Sequence, residues 1–345
     1  MNKKTQTTTC LTVKEKVFGI EFFRIIFTLV IIFYHYAPGP VRGTVPIYLG
    51  FVPVEIFFII AGYFMLSSVD KFAAAGKGIF EYMKSRWVRL APAMILVLVI
   101  AMILGILSPS NLVPYATMGY ALAPNIVAKF TPLWFIGVLF WVQSFYFAIL
   151  LKTSDRDKAF FWIAVLVFVG FSYLLISKNF WLWNVTDGVN TGLVRGLASV
   201  GLGTLLARAI PLIKFPKVPR RALWTALEVV LIFTVLGAIL FMKRNPVNYL
   251  TIVVSFVGLM VCMTSSMGWI STALNKWKWC GTVGKYCFFA FVCQQLISII
   301  VPKLSGGSWQ VESVLLIILP FLAAVIYENV IVKLWKKAFV RRMPK

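Results

Sequence analysis

His35 is the single histidine of this 345-residue chain, and it closes an apolar run, VFGIEFFRIIFTLVIIFYHYAPG, that holds one arginine, Arg24. At about 100° per residue, eleven steps bring an α-helix within roughly 20° of three whole turns. Arg24 and His35 therefore share one face, about 16 Å apart along the axis. A neutral imidazole can take a proton from a hydroxyl and return it to a leaving group. Hydroxyl acylation requires that pair of acts. A guanidinium binds phosphate or another anion. Ionisable groups inside a bilayer are expensive and mark function by default. The pair points to chemistry or transport. The plain alternatives are a histidine that hydrogen-bonds a neighbouring helix and an arginine that snorkels to the interface.

Other residues extend the candidate site. Arg86 and Arg89, in RWVRLAP, lie three residues apart and point the same way on a helix. Two adjacent guanidinium groups at a membrane edge suit a polyphosphate, and equally lipid headgroups. Glu55, in GFVPVEIFFIIAGYFM, is a buried carboxylate that must be paired or protonated. It is placed to orient His35 or to pair with an arginine. Glu21 precedes Arg24 by three residues and can neutralise it. Arg195 sits in a glycine-rich run, VRGLASVGLGTLLAR, whose small residues signal tight helix packing. It faces either a substrate cavity or the interface. Trp134, Trp181 and Trp183 form either a sugar-stacking surface or part of an interfacial aromatic belt. Gln143, Gln294 and Gln295 are intramembrane amides, more often helix glue than ligands.

The elements that must position these groups are membrane helices. Hydrophobic residues make up 60% of the chain and charged ones 13%, against about 25% charged in soluble domains. Mean hydropathy is +0.88. Runs of span length fall near 17–37, 47–67, 88–108, 132–152, 159–177, 189–210, 222–242, 247–267, 282–302 and 310–333. The fold class is all-α: a polytopic transmembrane helix bundle of about ten spans. A tail (1–16) precedes the transmembrane unit (17–333), and a basic tail (334–345) follows it. The net charge of +23 is not a nucleic-acid signature. Lysines and arginines crowd alternate segments, such as Lys71 to Arg89 and Arg208 to Arg221. That asymmetry places both termini in the cytoplasm and suits a multi-pass protein of the plasma (inner) membrane. The first apolar stretch has no small-residue cleavage site and reads as a retained signal anchor. Five cysteines match no metal spacing, so no metal and no disulfide are expected. Residues 68–87 read as a cytoplasmic link with an interfacial helix in its second half. The outer loop 109–131 is long enough to re-enter the membrane or shield a cavity.

These motifs, in this order, resemble acyltransferase family 3. Arg24 and His35 match its R-x(10)-H in the first span. VEIFFIIAGYFM (54–65) is similar to its second-span block. Arg86 and Arg89, with Pro92 after them, match its R-x-x-R before the third span. LWFIGVLFWVQSFYF (133–147) resembles the aromatic block that opens a later span. Two features depart from the pattern. Ala61-Gly62-Tyr63 stands where small-Ser-Gly-Phe is usual, and the last spans carry Gln294 and Gln295 but no histidine. The resemblance implies an acyltransferase whose His35 is the catalytic base. Arg24, Arg86 and Arg89 would bind acetyl-CoA or another acyl-CoA from the cytosol.

The resulting expectation is an O-acyltransferase, acetyl being the simplest group, acting on a hydroxyl of a surface glycan or glycolipid. Glu55 is expected to tune His35, and Arg195 and Trp134 to contact the acceptor. Membrane lipid is the other partner. A transporter or flippase for an anionic or glycolipid substrate is the rival from another class, with His35 as gate or proton site. A non-catalytic scaffold is the third, and it would make these residues individually dispensable.

Overall fold

The computed structural model describes residues 17–123, 131–153, 155–216 and 220–335. The N-terminal tail 1–16 with Cys10, the loop residues Pro124 and Lys129, Lys217, and the tail from residue 336 lie outside the described residues.

Among the described residues, ten helices are long and apolar enough to cross a membrane. They are numbered here as spans 1 to 10: Phe18–Tyr36, Pro53–Ala74, Ile79–Ile103, Trp134–Lys152, Arg156–Ser177, Thr191–Leu212, Arg221–Phe241, Pro246–Ser265, Cys287–Leu304 and Trp309–Trp335. Each overlaps one run read from the sequence, the glycine-rich sixth included. An even number of crossings puts both ends of the described chain on one side, termed basal; the opposite side is distal. Helix starts carry local signals. The Asp155 side chain accepts from the Asp157 and Lys158 amides, the Asn190 side chain from Leu193 and the Asn245 side chain from Asn248. These satisfy donors that a helix leaves unpaired. The only strand pairing among the described residues is Val185–Thr186 with Val189–Asn190, turned by Asp187 and Gly188 at φ 51° and 77°. That hairpin needs two left-handed residues, which Asp-Gly tolerates.

Two connections differ from the sequence reading. The link over 68–87 shrinks to four residues, because span 2 continues to Ala74 and span 3 begins at Ile79. Its second half is the first turns of a membrane helix, since Tyr82, Leu90 and Pro92 have core to pack against. The outer loop, as far as described, folds back along the bundle. Trp87 Nε1 donates to the Ala116 carbonyl at 2.8 Å and Trp141 Nε1 to that of Met118 at 2.9 Å. Trp87 lies sixteen residues before the distal end of span 3, about 24 Å of helix, so the loop descends deeply.

Spans 2 and 6 make the tightest pair. A Cβ on Gly62 would collide with the Val200 carbonyl, and one on Gly203 with that of Ile59. Small residues let the two backbones touch, which is how helices gain van der Waals contact where lipid gives no hydrophobic drive. Gly62→Ala or Gly203→Ala is therefore expected to destabilise the bundle by about 1–3 kcal/mol, read as a lower thermal midpoint in detergent. Gly237, where an added methyl would meet nothing within 4 Å, should accept alanine without that loss.

Candidate functional site

Spans 1, 2, 3, 4, 9 and 10 surround a cavity of about 850 Å³ at the basal end. Arg24 and Glu21 enter it from span 1, Lys71 from span 2, Arg86 and Arg89 from span 3, Lys285 from just before span 9, and Glu328 from span 10. Five cations thus face two carboxylates. Arg24 Nη1 holds both oxygens of Glu21 at 2.9 and 2.8 Å, so that pair is locally neutral as its spacing suggested. Arg86 stacks over the Tyr82 ring at 4.8 Å. Arg89 lies within electrostatic reach of Arg24, Arg86 and Glu328. Like charges gathered in a part-buried space repel strongly, and an anion of several charges relieves that repulsion. Three of the predicted residues, Arg24, Arg86 and Arg89, are therefore brought together from two spans. Lys71 and Lys285 join them, and sequence reading assigned both only to topology. Their signal was a lysine within a turn or so of a span end.

Deeper, the cavity becomes apolar and ends on three phenylalanines. Phe57, Phe135 and Phe291 pack ring on ring, with centroids 6.3, 6.2 and 5.4 Å apart. Phe58 lies 4.5 Å from Phe135 and 5.9 Å from Trp134. Trp134 in turn carries the Arg195 guanidinium over its ring at 4.9 Å.

Behind these rings lies a second group of predicted residues. Arg195 Nε bonds Glu55 Oε1, and Arg195 Nη1 donates to the Leu182 carbonyl at 2.9 Å. Arg195 is 1% exposed and Glu55 is fully buried. Tyr249 of span 8, also fully buried, faces the same carboxylate. Of the two partners foreseen for Glu55, the structure supplies the arginine and not His35. Arg195 and Trp134 do not line the cavity, because the phenylalanine rings stand between.

His35 stands apart from both groups. It occupies the last turn of span 1, with its backbone carbonyl bonded by Arg42 and its ring against Tyr34 at 4.8 Å. On its stripe, Thr28 and Ile31 are fully buried, whereas His35 is exposed. Span 1 thus meets the cavity at Glu21, Arg24 and Thr28, is fully buried at Ile31, and is exposed at His35 near its distal end. Among the described residues, no three His, Cys, Asp or Glu side chains gather closely enough to hold a metal ion.

The whole bundle takes part in one family pattern. Residues 17–328 match the model of an acyltransferase domain, that of acyltransferase family 3. The chain belongs to acyltransferase family 3. It is a multi-pass membrane acyltransferase, with the match running from the start of span 1 into span 10. Comparison with curated proteins and with solved structures gives no match. Acyl transfer needs a donor and an acceptor; along one stripe of span 1 the acyltransferase carries Arg24 in the cationic cavity and an exposed His35 at the distal end.

The ion pair at the centre of this acyltransferase should behave as a coupled unit. Removing one partner of a buried pair costs about 3–5 kcal/mol, because the other charge is left unpaired. Arg195→Met and Glu55→Gln are each expected to lower the thermal midpoint. The double variant should lose less than the sum of the two. Strictly additive losses in such a cycle would show that the two groups act independently.

Proposed function

We propose that this acyltransferase moves an acyl group, acetyl in the simplest case, from cytosolic acyl-coenzyme A to a hydroxyl of a surface glycan or glycolipid at the plasma membrane. The observation that carries this reading is the convergence of Arg24, Arg86 and Arg89, with Lys71 and Lys285, on one cavity with an apolar inner end. Coenzyme A has the matching polarity: phosphates at one end, an uncharged thioester at the other. Guanidinium groups bind phosphates through paired, charge-assisted hydrogen bonds. A basal face on the cytoplasmic side agrees with the distribution of lysine and arginine.

His35 acts as the general base. Its imidazole takes the proton of the acceptor hydroxyl as that oxygen attacks the thioester carbonyl. The carbon–sulfur bond then breaks, and the imidazolium proton goes to the departing thiolate. The products are the ester and free coenzyme A. Exposure of His35 at the distal end supports access for a bulky acceptor. Glu55 and Arg195 serve this reaction at one remove, by holding Trp134 and the rings that pack against it. Membrane lipid surrounds the bundle.

The test is made on purified full-length protein in nanodiscs, with acetyl-coenzyme A and a surface-glycan extract. His35→Ala should still bind acetyl-coenzyme A while release of free thiol falls by about 10²-fold or more. Arg86→Ala and Arg89→Ala should weaken donor binding by roughly tenfold or more each, the scale of a charged hydrogen bond. Undiminished thiol release by His35→Ala would remove the base. Calorimetry showing no coenzyme A binding to the native protein would remove the donor assignment.

A further inference from the structure

The distal end of span 1 carries cations that the donor site does not use. Arg42, in the short helix Gly39–Thr44, donates from Nη2 to the His35 backbone carbonyl and lies within electrostatic reach of the imidazole. The His35 ring packs edge-on against Tyr34, with centroids 4.8 Å apart. The Tyr34 hydroxyl in turn accepts from Arg244 Nη2 at 2.7 Å. Arg244 also donates from Nε to the Tyr48 carbonyl at 3.3 Å and lies over the Phe51 ring at 5.6 Å. One arginine thus stands beside the histidine, and a second is tied to it through a single tyrosine.

Neither arginine is neutralised. Among the described residues, no salt bridge reaches Arg42 or Arg244. The distal connections hold one carboxylate, Asp187, and Glu312 lies in the first turn of span 10. Cations are depleted from the non-cytoplasmic side of membrane proteins, so two exposed arginines at that face need a reason other than topology. Both are already held in place by neighbouring groups, and each guanidinium keeps N–H donors that these bonds do not use. A prearranged guanidinium loses less entropy when it binds an anion. Positive charge at this end also repels the charge that His35 takes up with the hydroxyl proton. A bound anion cancels that repulsion.

We propose that Arg42 and Arg244 form an anion site at His35, and that the acyl acceptor carries a phosphate or carboxylate close to the hydroxyl that is acylated. This rests on the reading of His35 as the base. It narrows the acceptor from any surface glycan or glycolipid to an acidic one. The two arginines position the acceptor, and the bonds made and broken are unchanged.

The chain has one histidine, so isotope-labelled histidine gives a single imidazole signal in magnetic resonance. Full-length protein, freed of any tag, is placed in phosphatidylcholine nanodiscs and titrated with glucosyl phosphate, glucuronate and glucose. At least one of the two anions is expected to shift the signal saturably, and glucose is not. The stronger anion tells phosphate from carboxylate. Arg42→Gln and Arg244→Gln should each weaken that binding by about tenfold, the scale of a charged hydrogen bond. Arg42, on an exposed short helix, gives the reading if Arg244→Gln does not fold. Silence towards both anions overturns the site, as does an equal response to glucose or binding unchanged in the folded variants. Phosphatidylglycerol nanodiscs test the lipid. If that lipid alone moves the signal and the sugar anions then add nothing, the arginines anchor headgroups and the proposal falls. Thiol release is then compared between acidic and neutral fractions of the surface-glycan extract. Release with the acidic fraction alone agrees with the proposal. Equal release with the neutral fraction overturns the acidic acceptor and leaves acyl transfer standing. Anion binding without release from either fraction removes the acyl-transfer reading, and the acceptor assignment with it.

Discussion

A guanidinium cannot shed its charge inside a membrane, so Arg195 can be buried only where something answers that charge. Glu55 answers it, the Leu182 carbonyl takes a second donor, and the Trp134 face covers the plane. This one pair ties span 2 to span 6 about two helical turns from where their backbones touch through Gly62 and Gly203. Through Trp134 it also orders the opening of span 4. The phenylalanine floor of the cavity leans on that same tryptophan. Much of what makes the bundle a vessel with a closed inner end, and not ten helices in lipid, follows from the need to satisfy a single buried cation.

The cations of the cavity obey the opposite logic. Arg86, Arg89, Lys71 and Lys285 outnumber the carboxylates beside them. An excess of like charge in one part-buried space is unfavourable by itself. Arg24 is the exception, being held at short distance by Glu21. The molecule thus divides its ionic groups into a buried pair that builds the scaffold and a set that lines the cavity. Both sets contain arginine, which is the residue suited to each: permanently charged, planar, and able to hold two oxygens at once.

Much of this was legible residue by residue. Helical arithmetic put Arg24 and His35 on one stripe, and the continuous helix Phe18–Tyr36 keeps them there. Arg86 and Arg89 share a face because they are three residues apart on span 3. The density of glycine in span 6 announced a close partner. Less legible was the segment 68–87, which polarity marked as a link although its apolar positions continue two helices. The descent of the outer loop also escaped firm reading, because Trp87 and Trp141 reveal their carbonyl partners only when the loop is folded.

The chain alone determined its spans, their number, the stripe on span 1 and the paired arginines of span 3. All of these depend on a local period of 3.6 residues and on transfer of apolar side chains out of water. Tertiary structure alone decided that Glu55 belongs to Arg195, 140 residues away, and that Phe57, Phe135 and Phe291 meet at the end of a cavity. It also decided that Lys71 and Lys285 line the same cavity as Arg89, and that His35 is exposed at the distal end. The reason is geometric. A helix dictates which of its residues share a face, but its rotation and tilt against nine others are set only when all the side chains pack together.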